Sequence, residues 1–258
     1  MSSETIAAID GLPVHYLEAG SGKTILFLHG AGGAPPRGAA FVPMLAERHR
    51  LLLPSRPGFD ATPIGSCETV QDAVAVMAGF IRTVAQGRAH IVAQSLGGTI
   101  GCWLAVLYPD LVESVVLSAP AAFAGRRAPP RPDEMAKILY GDAPSWTAPP
   151  DAAEQKRIAA NAQANMHRLR AAEGNADLLE RLGEIKAPTL LLWATDERLL
   201  PPEAMLPYQE RIPRCHRILI HGAAHELPIA AAPRWVRLVG DFVDRGEMFV
   251  VNMGSAAG

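Results

Sequence analysis

The chain has 258 residues, of which 49% are apolar, and a formal net charge of −2 at pH 7. The apolar content excludes a disordered chain, and the near-balanced charge disfavours proteins that bind nucleic acids or anionic membranes. The first residues lack a basic segment before an apolar run, and no run reaches the roughly 18 apolar residues of a membrane span. We therefore expect a cytoplasmic protein without nucleic-acid or membrane partners.

The three cysteines, Cys67, Cys102 and Cys215, form no Cys-x-x-Cys pair. An odd number without such spacing predicts neither a disulfide framework nor a zinc site. We expect structural thiols and no bound metal.

The opening of the chain predicts three strands, at 5–9, 14–20 and 24–30. Asp10 and Gly11, between the first two, are typical of a tight hairpin turn. The sheet is therefore expected to begin with antiparallel strands.

A regular alternation of strands and helices follows this opening. The predicted order is strand 50–55, helix 69–86, strand 89–94, helix 96–107 and strand 114–120. These strands are apolar throughout, which predicts a parallel sheet covered by helices on both faces.

The alternation stops between residues 121 and 182, where Pro-rich joints separate Ala/Arg/Glu-rich helical stretches. It resumes with a strand at 187–194, a helix at 202–211, a strand at 216–222 and a helix at 233–244. We therefore predict one core domain formed by 1–120 and 183–258, with 121–182 as a helical cap inserted into it. The last segment predicts a short apolar strand followed by a frayed tail.

Ser95 lies in "AQSLGG", where a predicted strand turns into a predicted helix. Such a serine is either a helix cap or a nucleophile. The segment resembles the G-x-S-x-G nucleophile elbow of the α/β-hydrolase family, with Ala93 in place of the first glycine. This resemblance implies a mostly parallel central sheet of about eight strands, helices on both faces and a helical cap.

The family places an acid and then a histidine in loops after later strands. His225, in "HGAAHELP", resembles the family's catalytic histidine, which would take the proton from Ser95 and return it to the leaving group. Two candidates compete for the acid in "ATDERLLPP". The register from Trp193 slightly favours Glu197, and Asp196 stays open as the alternative.

The segment "LFLHGAGG" resembles the family's oxyanion loop after the third strand. The resemblance implies that the amides of Ala31 and Leu96 bind the developing oxyanion. Gly30 and Gly32 would let the backbone approach the substrate. The glycines lack the G-x-G-x-x-G spacing of a dinucleotide site, and none of the reactions that the resemblance implies requires a metal or an organic cofactor, so none is expected.

The resemblance also implies that the cap contributes to the substrate pocket. Apolar residues of the predicted cap are candidates for this role, notably Met135, Leu139 and Trp146. For each of them the alternative is that it only packs the cap against the core.

A serine nucleophile disfavours the dehalogenase and epoxide-hydrolase branches of the family, which use an aspartate. Hydrolysis of a small carboxylic ester, lactone or related acyl substrate through an acyl-enzyme is ranked first. Carbon–carbon hydrolases of the family commonly carry Trp after the catalytic histidine, whereas Glu226 stands here, so carbon–carbon hydrolysis is an alternative. Perhydrolase or haloperoxidase chemistry and a non-catalytic ligand-binding protein also stay open. The expected partner is a small-molecule acyl substrate, and the expected assembly is a monomer or homodimer.

Overall fold

The structure is a computed structural model that describes residues 3–35, 38–125, 131–142, 156 and 175–250. Its centre is one eight-stranded sheet with the order β1-β2-β4-β3-β5-β6-β7-β8. The strands are β1 (Ser3–Ile9), β2 (Leu12–Ala19), β3 (Lys23–Leu28), β4 (His49–Pro54), β5 (Ala89–Gln94), β6 (Val112–Ser118), β7 (Thr189–Ala194) and β8 (Cys215–Ile220).

The first three strands in this order pair antiparallel, and the remaining pairs are all parallel. The hairpin between β1 and β2 turns at Asp10 and Gly11, both of which have a positive φ. The prediction of a mostly parallel sheet with an antiparallel opening is therefore confirmed.

Eight α-helices lie within the described residues. They are α1 (Phe41–Ala46), α2 (Val70–Thr83), α3 (Gly97–Leu107), α4 (Pro132–Tyr140), α5 (Ala176–Arg181), α6 (Leu206–Arg211), α7 (Leu227–Ala230) and α8 (Ala232–Arg245). None of the helices in this described part is long and apolar enough to span a membrane.

The core lies between the sheet and its helices. Strands β5 and β7 are buried over almost their whole length, as the continuous apolar runs predict. Trp235 of α8 packs edge-on against Phe27 and Phe41, and its indole N–H donates to Ser118 Oγ at 2.8 Å. The buried aromatic side chain thereby satisfies its single polar atom.

Two local features differ from the sequence-based expectations. Helix α1 was not predicted from the sequence, and Gly246–Val250 forms a 3-10 helix instead of an apolar strand. Phe249 folds back onto Phe242, with ring centroids 5.1 Å apart, and Glu247 pairs with Arg214. These contacts draw the segment against the core, so it does not extend as a strand.

The inserted segment is described only in part. Helices α4 and α5 fall within 121–182, whereas residues 126–130, 143–155 and 157–174 lie outside the described residues. The division into a core and a helical cap stays a prediction.

Only glycine fits at position 97, because α3 crosses close behind β3 there. A Cβ atom added there would lie 2.1 Å from the backbone oxygen of Leu28, which cannot move without distorting the sheet. We expect Gly97→Ala to lower the free energy of unfolding by about 1–3 kcal/mol. Urea denaturation would measure the loss, and Gly38→Ala, where an added Cβ meets nothing within 4 Å, is the matched control. Equal stability of the two variants would contradict the packing argument.

Candidate active site

Ser95 lies at the turn between β5 and α3 with a φ of 51°, in the left-handed region that non-glycine residues rarely adopt. Its amide donates to Ser118 O at 2.9 Å, and its carbonyl accepts from Ala121 N at 3.1 Å. A strained residue held from both sides indicates a constrained functional position. The turn aims the Ser95 side chain away from the helix and towards the loops that follow β7 and β8.

Small residues around Ser95 allow this turn to form. An added Cβ on Gly98 would lie 2.6 Å from Pro120 Cβ, so only glycine fits there. Ala93 replaces the first glycine of the family pattern, and its Cβ lies 3.1 Å from the place where Gly101 would carry one. The absence of a side chain at Gly101 therefore makes room for the methyl group of Ala93.

His225 and Glu197 form a hydrogen-bonded chain with Ser95. His225 Nε2 lies 2.9 Å from Ser95 Oγ, and His225 Nδ1 lies 2.7 Å from Glu197 Oε2. An ionised carboxylate can only accept, so Nδ1 carries the proton and Nε2 accepts from the serine hydroxyl. This is the arrangement in which a histidine can activate a serine.

Glu197 is a well-satisfied buried carboxylate. Its other oxygen accepts from the amides of Leu199 at 2.8 Å and Leu200 at 3.0 Å, and its side chain is 3% exposed. These bonds compensate the cost of burying the charge and hold it against the imidazole. Asp196 is exposed and accepts from Thr195 Oγ at 3.3 Å. The structure therefore brings Glu197, and not Asp196, to the histidine.

The pKa of His225 is raised above its ordinary value. Burial lowers this pKa, but the hydrogen bond and charge of Glu197, together with the charge of Glu226, outweigh the burial. The imidazolium form that would follow deprotonation of Ser95 is thus stabilised by neighbouring carboxylates.

The two expected oxyanion donors belong to the loop after β3 and to the turn after Ser95. Ala31 follows the end of β3 and is exposed, and Leu96 precedes α3. Within the described residues, neither of these amides donates to another protein group. Gly30 lies against Ser95, because an added Cβ there would be 3.2 Å from Ser95 Cβ. Gly32 is exposed, and an added Cβ there would meet nothing within 4 Å.

Three residues that sequence reasoning overlooked support these loops. Gln94 Nε2 donates to His225 O at 2.8 Å and ties the histidine loop to the end of β5. Buried Arg56 donates to Gly30 O at 2.9 Å, and burial lowers its pKa to about 9 although the charge of Asp60 opposes this. Asp60 accepts from Ala34 N at 2.9 Å. Gln94 lies beside the elbow and could have been suspected. Arg56 and Asp60 lie in "LPSRPGFDATP" (53–63), which resembles the family's loop after the fourth strand, but this resemblance does not indicate which contacts the two residues make.

The candidate cap residues are only partly placed. Leu139, at the end of α4, accepts a hydrogen bond from Glu226 N at 2.8 Å, so this helix rests on the histidine loop. Met135 lies on the same helix and is partly buried, and Trp146 lies outside the described residues.

Comparison with known proteins agrees with this architecture. A family model described as the alpha/beta hydrolase fold matches residues 23–167, more than half of the chain. The chain belongs to the alpha/beta hydrolase fold family. The resemblance stated from the elbow and the predicted fold class are thereby confirmed.

Two curated relatives align with this chain over most of its length and most of their own. A 2-hydroxy-6-oxo-6-phenylhexa-2,4-dienoate hydrolase of Burkholderia cepacia is 27% identical over 90% of this chain and 92% of its own length. A 2-hydroxy-6-oxononadienedioate/2-hydroxy-6-oxononatrienedioate hydrolase of Burkholderia vietnamiensis is 27% identical over 91% of this chain and 92% of its own. The crystal structure of a serine hydrolase involved in carbazole degradation has a TM-score of 0.78 and 23% identity, covering 95% of this chain and 99% of that one.

The acid that orients His225 can be identified by paired substitutions. Glu197→Gln removes the charge that stabilises the imidazolium, and we expect labelling of Ser95 by a fluorophosphonate to slow about 10²- to 10⁴-fold. Asp196→Asn changes an exposed side chain, and its labelling rate should stay within about twofold. Intact-mass kinetics would measure both rates. The reverse pattern would assign the role to Asp196.

The pH dependence of labelling reports on His225. Only neutral His225 can accept the serine proton, so the rate should rise with pH through the pKa of this histidine. Because that pKa is raised, we expect the midpoint above the ordinary value of 6.5. Removing the Glu197 charge should move the midpoint to lower pH. A wild-type midpoint below 6.5 would contradict this reading.

Proposed function

We propose that this protein is a serine hydrolase that cleaves a carbon–carbon bond beside the ketone of a 2-hydroxy-6-oxo-2,4-dienoate, the substrate class named for its relatives. The observation that carries the proposal is the combination of those relatives with the Ser95–His225–Glu197 hydrogen-bonded chain. The relatives therefore favour carbon–carbon hydrolysis over the ester hydrolysis that the sequence alone ranked first.

The chemistry of the named substrate restricts the reaction. A 2-hydroxy-6-oxo-6-phenylhexa-2,4-dienoate has a carboxylate, an enol hydroxyl and a ketone, but no ester or amide. Water can therefore cleave it only at the carbon–carbon bond next to the ketone. The leaving carbon must carry an electron pair, and conjugation with the rest of the chain stabilises that pair as a dienolate.

In the proposed mechanism His225 takes the proton of Ser95, and Ser95 Oγ attacks the ketone carbon. The amides of Ala31 and Leu96 stabilise the oxyanion, and each such donor typically contributes about 10²–10³ in rate. Collapse breaks the carbon–carbon bond and releases the dienolate, which accepts the proton from His225. Water, activated by His225, then hydrolyses the acyl-Ser95 ester. The net change adds one water and yields a carboxylic acid and a shorter dienoate.

Ester hydrolysis is the second candidate function. The same nucleophile, base and oxyanion donors suit an ester carbonyl. Glu226 follows His225, where carbon–carbon hydrolases of the family commonly carry Trp, and this observation favours the ester reading. A small carboxylic ester or lactone is the substrate class for this candidate.

Turnover of 2-hydroxy-6-oxo-6-phenylhexa-2,4-dienoate, the substrate named for one relative, tests the proposal. We expect one equivalent of benzoate per substrate consumed, quantified by chromatography. Ser95→Ala should reduce the rate at least about 10³-fold because the nucleophile is lost. Ser66→Ala, which changes an exposed serine, is the matched control. Hydrolysis of 4-nitrophenyl butyrate without any benzoate formation would overturn the carbon–carbon proposal and favour the ester candidate.

A further inference from the structure

Glu226 presents a carboxyl group beside the nucleophile. A methyl group built on Gly30 would lie 3.5 Å from Glu226 Oε1 and 3.2 Å from Ser95 Cβ. The carboxyl group and the serine therefore face the same point next to the oxyanion loop. The backbone amide of Glu226 donates to Leu139 O at 2.8 Å, which fixes the residue under α4.

This carboxyl group has no hydrogen-bonding partner among the described residues. Among the described residues, no hydrogen bond or ion pair reaches either side-chain oxygen of Glu226, which is partly buried. Burying a carboxyl group without a partner is unfavourable, so fold stability does not explain its position. Glu197 is different, because three donors already occupy its oxygens.

Burial and the charged groups that face Glu226 shift the pKa of its carboxyl group. Burial raises the pKa of Glu226, the charge of His225 lowers it, and the charge of Glu197 raises it, with a net rise. Tyr140 of α4 also faces it, and burial together with the charge of Glu226 raises the pKa of this tyrosine. Glu226 thus holds a proton at higher pH than an ordinary glutamate, as a group that both takes and gives protons should.

The proposed reaction needs a second proton transfer, within the substrate, besides the transfer from Ser95 to His225. In the dienol form, the carbon next to the ketone belongs to a double bond and cannot leave as a stabilised dienolate. It must first gain a proton while the enol hydroxyl loses one.

We propose that Glu226 is a second catalytic acid–base, which moves the proton from the enol hydroxyl of the substrate to the carbon bonded to the attacked ketone. The carboxylate of Glu226 accepts the hydroxyl proton, and the electrons of the O–H bond form the new ketone. The double bonds shift along the chain, and the last electron pair takes the proton back from the carboxylic acid. The step is an isomerisation that needs no other reactant. This inference rests on the proposed function.

Ser95→Ala isolates the proton transfer, because the substrate can isomerise in this variant but cannot be cleaved. In D₂O we expect deuterium to enter the carbon next to the ketone of 2-hydroxy-6-oxo-6-phenylhexa-2,4-dienoate, followed by NMR. Adding Glu226→Gln should slow this exchange at least about a hundredfold. Adding Glu210→Gln, which changes an exposed glutamate of α6, is the matched control. Equal exchange in the two double variants would overturn the role of Glu226.

The single variant Glu226→Gln, which retains Ser95, gives a second readout through its turnover of two substrates. Esters need no isomerisation, so the ratio of dienoate to 4-nitrophenyl butyrate turnover should fall at least about thirtyfold. An equal loss on both substrates would overturn the proton-transfer role and leave Glu226 as a support for His225. Thermal unfolding of the variant verifies that it is folded.

Failure of the proposed function gives a different result. Wild-type protein that never converts the dienoate, but hydrolyses 4-nitrophenyl butyrate, would overturn the carbon–carbon reaction and the role of Glu226 together. Wild-type protein that converts the dienoate, with Glu226→Gln equally active, would overturn the role of Glu226 alone.

Discussion

The positive φ of Ser95 is the constraint around which the rest of the site is arranged. Such a backbone conformation costs about 1–3 kcal/mol in a non-glycine residue and persists only where its surroundings hold it. Here β6 and the segment after it hold both sides of the residue, and Gly97 lets α3 cross directly behind β3. The serine therefore has a fixed position, and the loops after β3, β7 and β8 converge on it.

Features that depend on neighbouring residues could be predicted from the sequence. Apolar runs identified the strands of the parallel sheet, and the small residues around Ser95 identified the elbow. Features that depend on distant packing could not be predicted. The sequence places Asp196 and Glu197 side by side, and only the loop geometry, with Glu197 bound to two amides, separates them. Arg56 donates a hydrogen bond to Gly30, 26 positions earlier in the chain, and the residues around Arg56 in the sequence do not indicate this partner.

The reaction could not be identified from the sequence of the elbow either. The same expected nucleophile, base and amide donors could act on any carbonyl, so these residues predict acyl chemistry without specifying the leaving group. The leaving group depends on side chains that face the substrate without belonging to the elbow. We propose Glu226 as such a residue, and its position became interpretable only after the structure placed it opposite Gly30.

The contact between α4 and the histidine loop joins the inserted segment to the chemistry. The carbonyls of Ile138 and Leu139, in the last turn of α4, accept the amides of His225 and Glu226. A displacement of α4 would therefore move both His225 and Glu226 relative to Ser95. For the proposed substrate, the like charge of its carboxylate would raise the pKa of Glu226 further on binding. The higher pKa makes the carboxylate of Glu226 a stronger acceptor of the enol proton, and accepting that proton removes the charge that would otherwise repel the ligand.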